Sequence, residues 1–126
     1  DTNICIYFLN QDKSVTEKMS KISVDDMAIS IITIAELQFG AFNSSKIREN
    51  LERIKYLRNI IKTIDLNTTI TEEYERIKSS LRKSGNLIDD FDILIGSTAI
   101  VNKLILVTNN QQHFNRIDNL LIENWK

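Results

Sequence analysis

No proline interrupts this chain, and its only glycines are Gly40, Gly85 and Gly96. With so few residues that break or punctuate regular structure, helices should dominate. No Gly-, Ser- or Pro-rich linker divides the sequence, and no repeat or low-complexity tract is present. The expectation is one domain over residues 1–126, a length at which folding buries about two-thirds of the surface of the unfolded chain. Hydrophobic residues at 42% and charged residues at 26% match ordinary globular composition and argue against disorder.

Several function classes drop out at this level. No apolar run approaches the roughly 20 residues of a membrane helix, and no signal peptide opens the sequence. Cys5 is the only cysteine, so neither a disulfide framework nor a cysteine-rich zinc site is available. A cytoplasmic protein with no membrane association is expected. The net charge is −1, so any nucleic-acid contact must rest on a local basic patch.

The hydropathy pattern alternates helices with short strands. Met27 to Ser30 has strand length, and Ile32 to Phe39 suits a short helix stopped at Gly40. From Ser45 to Ile61 the apolar residues Ile47, Leu51, Ile54, Leu57 and Ile61 recur at three- and four-residue steps, predicting an amphipathic helix. Ile64 to Leu66 reads as a strand. A second amphipathic helix runs from about Thr71 to Lys83 and stops near Gly85. Phe91 to Asn102 has the length of a buried helix, Leu104 to Val107 is a strongly apolar strand, and Leu120 to Ile122 supplies a last one. This alternation predicts an α/β sandwich around a parallel sheet, with ligands gathering beyond the C-terminal strand ends.

The densest chemistry lies at Asp89, Asp90 and Asp92, ahead of the apolar helix. Three close carboxylates repel one another, and a shared cation would relieve this. Helix capping and the helix dipole account for such a cluster equally well. Gly96 and Ala99 lie near the same helical face as Asp92 and permit close approach. Glu36 stands among Ile34, Ala35 and Leu37, where a carboxylate is exposed, paired or metal-bound, exposure being the default. Asp1 precedes Thr2 and Asn3, which can bond a neighbouring carboxylate or cap a helix. His113, the only histidine, follows Thr108-Asn109-Asn110 and suits ligation, proton transfer or simple packing. Neither a P-loop, a GxGxxG turn, an HExxH helix nor a GxSxG elbow is present. Asp1, Glu36 and Asp92 each border an apolar element and are expected to converge at one sheet edge. Such hard oxygen donors suit Mg²⁺ or Mn²⁺ and phosphodiester hydrolysis.

Four sequence pieces, in order, resemble the PIN-domain family and within it a VapC-type toxin of a bacterial toxin–antitoxin pair. They are Asp1 to Cys5; Ile31 to Leu37 with Gly40; Asp92 to Ala99; and Leu106 to Asn110 with His113-Phe114 and Ile122 to Trp125. The resemblance spans essentially the whole chain. It implies a PIN-like three-layer sandwich with a short, mainly parallel central sheet flanked by helices. It also implies a Mg²⁺- or Mn²⁺-dependent endoribonuclease, dimeric, neutralised by a VapB-type antitoxin, with transfer RNA a common substrate in the family.

Residue by residue, the resemblance makes Asp1, Glu36 and Asp92 the catalytic metal ligands. Asp90 is an auxiliary acid, and Thr108 and Asn109 support the site. His113 stands where the family often has an acid, so three carboxylates suffice or metal choice shifts toward Mn²⁺. The family also carries a short apolar strand ahead of its first acid; the sequence opens at Asp1, and omission of that strand is expected rather than its natural absence. Lys46, Arg48, Arg82 and Lys83 are candidates for steering the RNA backbone, with a solvated helix face as the default. Two other readings stand beside this one. A response-regulator receiver would need an acidic neighbour for Asp1 and a strand-end lysine, both missing. A PIN-like domain that binds RNA or antitoxin without cutting is kept open by His113.

Overall fold

The computed structural model describes residues 1–126, which form two compact units: residues 1–65 with Lys126, and residues 66–125. In the first, helices α1 (Thr2–Leu9) and α2 (Lys13–Met19) lead through a short 3₁₀ turn into strand β1 (Ala28–Ser30). Helices α3 (Ile31–Phe42) and α4 (Ile47–Ile60) then cross back to β2 (Lys62–Ile64). The two strands pair in parallel, with Ala28 opposite Lys62 and Ser30 opposite Ile64. A parallel pair needs a long crossover, and the α3–α4 hairpin supplies it.

The core of this unit is where the α3 and α4 apolar stripes meet. Ile34, Leu37 and Ala41 of α3 pack with Ile54 and Leu57 of α4, beside Ile29 and Ile61. At about 25 cal/mol per Å² of apolar surface, such fully buried aliphatic side chains each contribute roughly 1.5–3 kcal/mol against the chain entropy. The expected stop at Gly40 is corrected: α3 runs two residues further and ends on Asn43. Gly40 is not in the left-handed region, and a Cβ there would meet nothing within 4 Å. It is an ordinary helical residue.

The second unit holds α5 (Thr68–Lys83), α6 (Asp90–Val101), β3 (Leu106–Val107), α7 (Gln111–Phe114) and β4 (Ile122–Glu123). β3 and β4 pair in parallel, Leu106 with Ile122 and Val107 with Glu123. Every strand of the protein thus pairs in parallel and helices fill the remaining elements, as an α/β fold requires. Helix α6 is apolar on nearly all sides, and Ile93 and Ile95 to Ala99 are buried. Its buried hydroxyls are satisfied within the helix: Ser97 Oγ donates to the Ile93 carbonyl at 2.7 Å and Thr98 Oγ1 to that of Leu94 at 2.8 Å. The close approach expected at Gly96 is present, since a Cβ there would lie 2.8 Å from Cδ1 of Ile117.

Three strand boundaries differ from the sequence expectation. β2 occupies 62–64 rather than 64–66, because Ile61 already turns extended and is buried. β3 begins at Leu106 rather than Leu104, because the Leu104 amide closes α6 by donating to the Ala99 carbonyl at 2.9 Å. β4 begins at Ile122, after Leu121 has accepted from the Leu106 amide at 2.8 Å. Helices α1, α2 and α7 lie where the sequence pattern assigned no element. No helix is long and apolar enough to cross a membrane.

Candidate active site

Two of the three predicted acids lie in the first unit. Asp1 is the N-cap of α1: its Oδ1 accepts from the Ile4 amide at 3.0 Å. That bond satisfies one of the orphan amides of the first turn and fixes how α1 leaves Asp1. Glu36 sits midway along α3, half-buried rather than on the solvated face that was the default expectation. Thr2 explains this. Its Oγ1 donates to Glu36 Oε1 at 2.6 Å, which gives the half-buried carboxyl a hydrogen-bond partner. The α1 start and the middle of α3 are therefore joined through this hydrogen bond.

In the second unit the acidic triplet divides among three separate partners. Asp89 caps α6, its Oδ1 accepting from the Phe91 amide at 2.9 Å. Asp90 turns to α5, where its Oδ1 lies 2.7 Å from Lys78 Nζ and accepts from Tyr74 Oη at 3.1 Å. Asp92 meets His113, with Oδ2 2.9 Å from the ring Nδ1. The like-charge cluster is thus relieved by a cap, a cation and an imidazole, each on a different acid.

The Lys78 ammonium and then the Tyr74 hydroxyl hold the Asp90 carboxyl below its usual range, and Lys78 is raised in turn, first by Asp90 and then by Tyr74. A carboxylate depressed in the folded state stabilises above its unfolded pKa of about 3.9 and loses that contribution as pH falls through the folded value. Asp90→Asn is accordingly expected to lower stability at pH 7 and to differ less from the parent as pH drops below about 4. Urea unfolding at pH 7 and pH 3 checks it; a gap independent of pH would refute the ionic contact. The pair is solvent-exposed, so the effect at pH 7 is small and is reduced further by salt.

His113 is delivered by α7, whose first residues are held by the turn after β3. Thr108 is buried, its amide donates to the Glu123 carbonyl at 2.9 Å, and its Oγ1 accepts from the Asn110 amide at 2.8 Å. Asn109 Oδ1 accepts from Asn124 Nδ2 at 3.4 Å. These two residues fix the strand end and the start of the turn, and Phe114 anchors the other side of His113 in the core.

By type, the carboxylates of Asp1, Glu36 and Asp92 suit a hard dication such as Mg²⁺ or Mn²⁺. The hydrogen bonds engage Oε1 of Glu36 and Oδ2 of Asp92, leaving Oε2 and Oδ1 for another ligand. No group of three or more His, Cys, Asp or Glu side chains is placed to hold a metal ion. The structure brings together Thr2 with Glu36 and Asp92 with His113. It turns Asp90 toward Lys78. Tyr74 and Lys78 were not legible as partners of Asp90, since nothing in their helical spacing points to a residue 16 and 12 positions away.

Comparison with known proteins identifies the family. The PIN domain family profile matches residues 1–120. Ribonuclease VapC2 of Rickettsia felis is 36% identical over 127 residues, covering 99% of this chain and 95% of that protein. The tRNA(fMet)-specific endonuclease VapC of Shigella flexneri is 33% identical over 126 residues, again covering 99% and 95%. In structure, the chain is similar to VapBC2 of Rickettsia felis bound to a DNA fragment from their promoter, with a TM-score of 0.91 and 35% identity over 99% of this chain and 96% of that one. The family match over residues 1–120, the parallel strand pairs and the full-length likeness agree, and the chain belongs to the PIN-domain family of nucleases, in its VapC-type toxin branch.

Proposed function

We propose that this VapC-type chain is a divalent-metal-dependent endoribonuclease that cuts transfer RNA in the cytoplasm and is held silent by a VapB-type antitoxin. Ribonuclease toxin activity follows from the family at the coarse level. The observation that best supports the finer reading is the family match running over residues 1–120, and within it Asp1, Glu36 and Asp92 are the acids that the sequence resemblance assigns to the metal. The Shigella relative, named for tRNA(fMet), supports transfer RNA as substrate. The Rickettsia structure, a VapBC2 assembly, supports the antitoxin. A single PIN-like nuclease domain over residues 1–126, assembled as a homodimer, belongs to the same reading; a monomer in sedimentation well above micromolar concentration counts against the dimer.

In this reading, which follows the sequence resemblance, Asp1, Glu36 and Asp92 would hold the ion, and it would supply positive charge to the phosphoryl oxygens and a more acidic water. The chain's own residues do the positioning. Thr2 orients Glu36 by donating to Oε1, and Oε2 is not engaged in that bond. Asp92 Oδ2 lies 2.9 Å from Nδ1 of His113, a contact that orients the imidazole ring and leaves Nε2 on its far side. Thr108 and Asn109 keep the turn that carries α7 closed, and Asp90 serves at one remove by tying the first turn of α6 to α5.

The test uses the antitoxin-free protein and a total transfer-RNA pool, with Mg²⁺, Mn²⁺ or EDTA. Discrete fragments with either ion, falling to background with EDTA, are expected. EDTA-resistant cleavage would overturn metal dependence. Cleavage with Mn²⁺ alone would bring His113 into the ligand set, since imidazole suits Mn²⁺ better than Mg²⁺. A folded protein that binds RNA or antitoxin without cutting it would establish the non-catalytic alternative.

A further inference from the structure

Helix α4 sorts its charged residues by side. Glu49, Glu52 and Arg53 line, with Tyr56, Phe8 and Leu9, an open groove of about 510 Å³ whose walls are mostly apolar. Arg48, Lys55 and Arg58 are absent from that groove. At about 100° per residue, they fall within roughly 80° of helix circumference, next to the groove-lining arc but not overlapping it. All three are exposed, as is Lys62 just past the helix end. None of the four has an ion pair or a side-chain hydrogen bond, whereas Lys46 pairs with Glu49 and Arg53 bonds Asn50 and Asn10.

We propose that the Arg48–Lys55–Arg58 flank of α4, continued by Lys62, binds the phosphodiester backbone of the RNA substrate. The proposal rests on the ribonuclease reading and adds to it a surface on a helix that carries none of the acids of the candidate site. Charge complementarity selects the occupant. Residues 46–62 carry six cations against two carboxylates in a chain whose net charge is −1, so here a polyanion finds locally what the molecule does not offer as a whole. From Arg48 to Arg58 the helix rises about 15 Å. A nucleic-acid strand with one charge per roughly 3.4 Å places about four phosphates along that length. Two arginines and a lysine with no internal partner can bond phosphate oxygens without first breaking a bond within the protein. Backbone contacts of this kind position a strand without reading its sequence.

The experiment measures binding of a labelled 12-nucleotide oligouridine and of a total transfer-RNA pool by fluorescence anisotropy, in EDTA, between 50 and 300 mM KCl. It compares the parent with the triple variant Arg48→Gln/Lys55→Gln/Arg58→Gln. A second triple variant, Lys13→Gln/Lys21→Gln/Lys103→Gln, makes the same change in net charge at exposed positions elsewhere. The first variant is expected to lose about ten- to a hundredfold in affinity near 0.1 M salt and to reduce the slope of log K against log salt by about 2, at roughly 0.7 per lost phosphate contact. The second is expected to change both much less. Unchanged slopes in the first variant, or equal losses in both, would overturn the proposal and return this flank to solvent or to a protein partner. Cleavage of transfer RNA by the parent, run alongside with Mg²⁺, separates the two failures: a parent that cuts RNA while the first variant binds unchanged refutes only the surface. A parent that neither cuts nor binds refutes the ribonuclease reading with it. Thermal unfolding of each variant confirms that its helices are retained.

Discussion

Asp92→Asn is expected to reduce RNA cleavage by more than about a hundredfold, since even residues that only orient metal ligands cost about 10–100-fold when changed. The substitution removes one negative charge and almost no volume. Asparagine Oδ1 can still accept from His113 Nδ1, so the contact at 2.9 Å and the seating of α7 survive. The loss then reports the charge rather than the fold. Asp90→Asn is the informative companion. It lies two residues away on the same first turn, but its carboxylate faces Lys78 and Tyr74 of α5. A change of no more than about threefold is expected from a residue at that remove, below the 10–100-fold range of groups that touch a ligand directly. Single-turnover cleavage at saturating Mg²⁺ compares the three proteins. Equal collapse of both variants would mean that the acidic turn acts as one unit, and an active Asp92→Asn protein would remove Asp92 from the catalytic set.

The elements legible in the sequence were those with strong periodicity. The stripes of α4 and α5 and the near-uniform apolarity of α6 named their helices to within about three residues. The paucity of glycine made helix ends harder to read. Helices α1, α5 and α6 all finish on a residue in the left-handed region, with paired amides returning to the helix. In α5 that residue is Gly85, and the stop was predicted. In α1 and α6 it is Gln11 and Lys103, side chains that adopt positive φ uncommonly and announce nothing in sequence. Gly40 is the reverse case, a stop signal inside a helix that continues. Lys103 also explains the shortened β3, because the left-handed turn consumes the Leu104 amide that the strand would have used.

The site was legible as chemistry and not as contacts. Glu36 drew notice as a carboxylate in apolar company, and Thr2 as a hydroxyl able to bond a nearby carboxylate. Their meeting across 34 residues had no local signal. The acidic turn before α6 admitted a cation or a helix cap, and the structure distributes those roles: a cap for Asp89, a lysine for Asp90 and a histidine for Asp92. Side-chain pairing between elements depends on how the helices are rotated, which composition and spacing do not specify.

Phe114→Ala is expected to be the most destabilising single change near the site, at about 3–5 kcal/mol. Phe114 is fully buried, whereas α7 has only four residues and no side-chain N-cap bond. A helix that short does not stand on its backbone bonds. It persists because Phe114 is packed in the core beside Ile117, which in turn reaches the face of α6 that Gly96 leaves open. Set against the 5–15 kcal/mol that holds a typical domain together, the loss takes a large share of total stability. The melting temperature should fall by roughly 9–25 °C, given about 3–5 °C per kcal/mol at this chain length. Phe114→Leu keeps most of the buried volume and should recover more than half of the loss. Because His113 is the residue before it, unseating Phe114 also releases the imidazole from Asp92, so the variant should lose more activity than its remaining folded fraction explains. Calorimetry on both variants, with cleavage assayed at a temperature where each is folded, checks the two effects separately. A shift of less than about 3 °C for Phe114→Ala, under 1 kcal/mol on the same scale, would show that α7 is held by something other than this side chain.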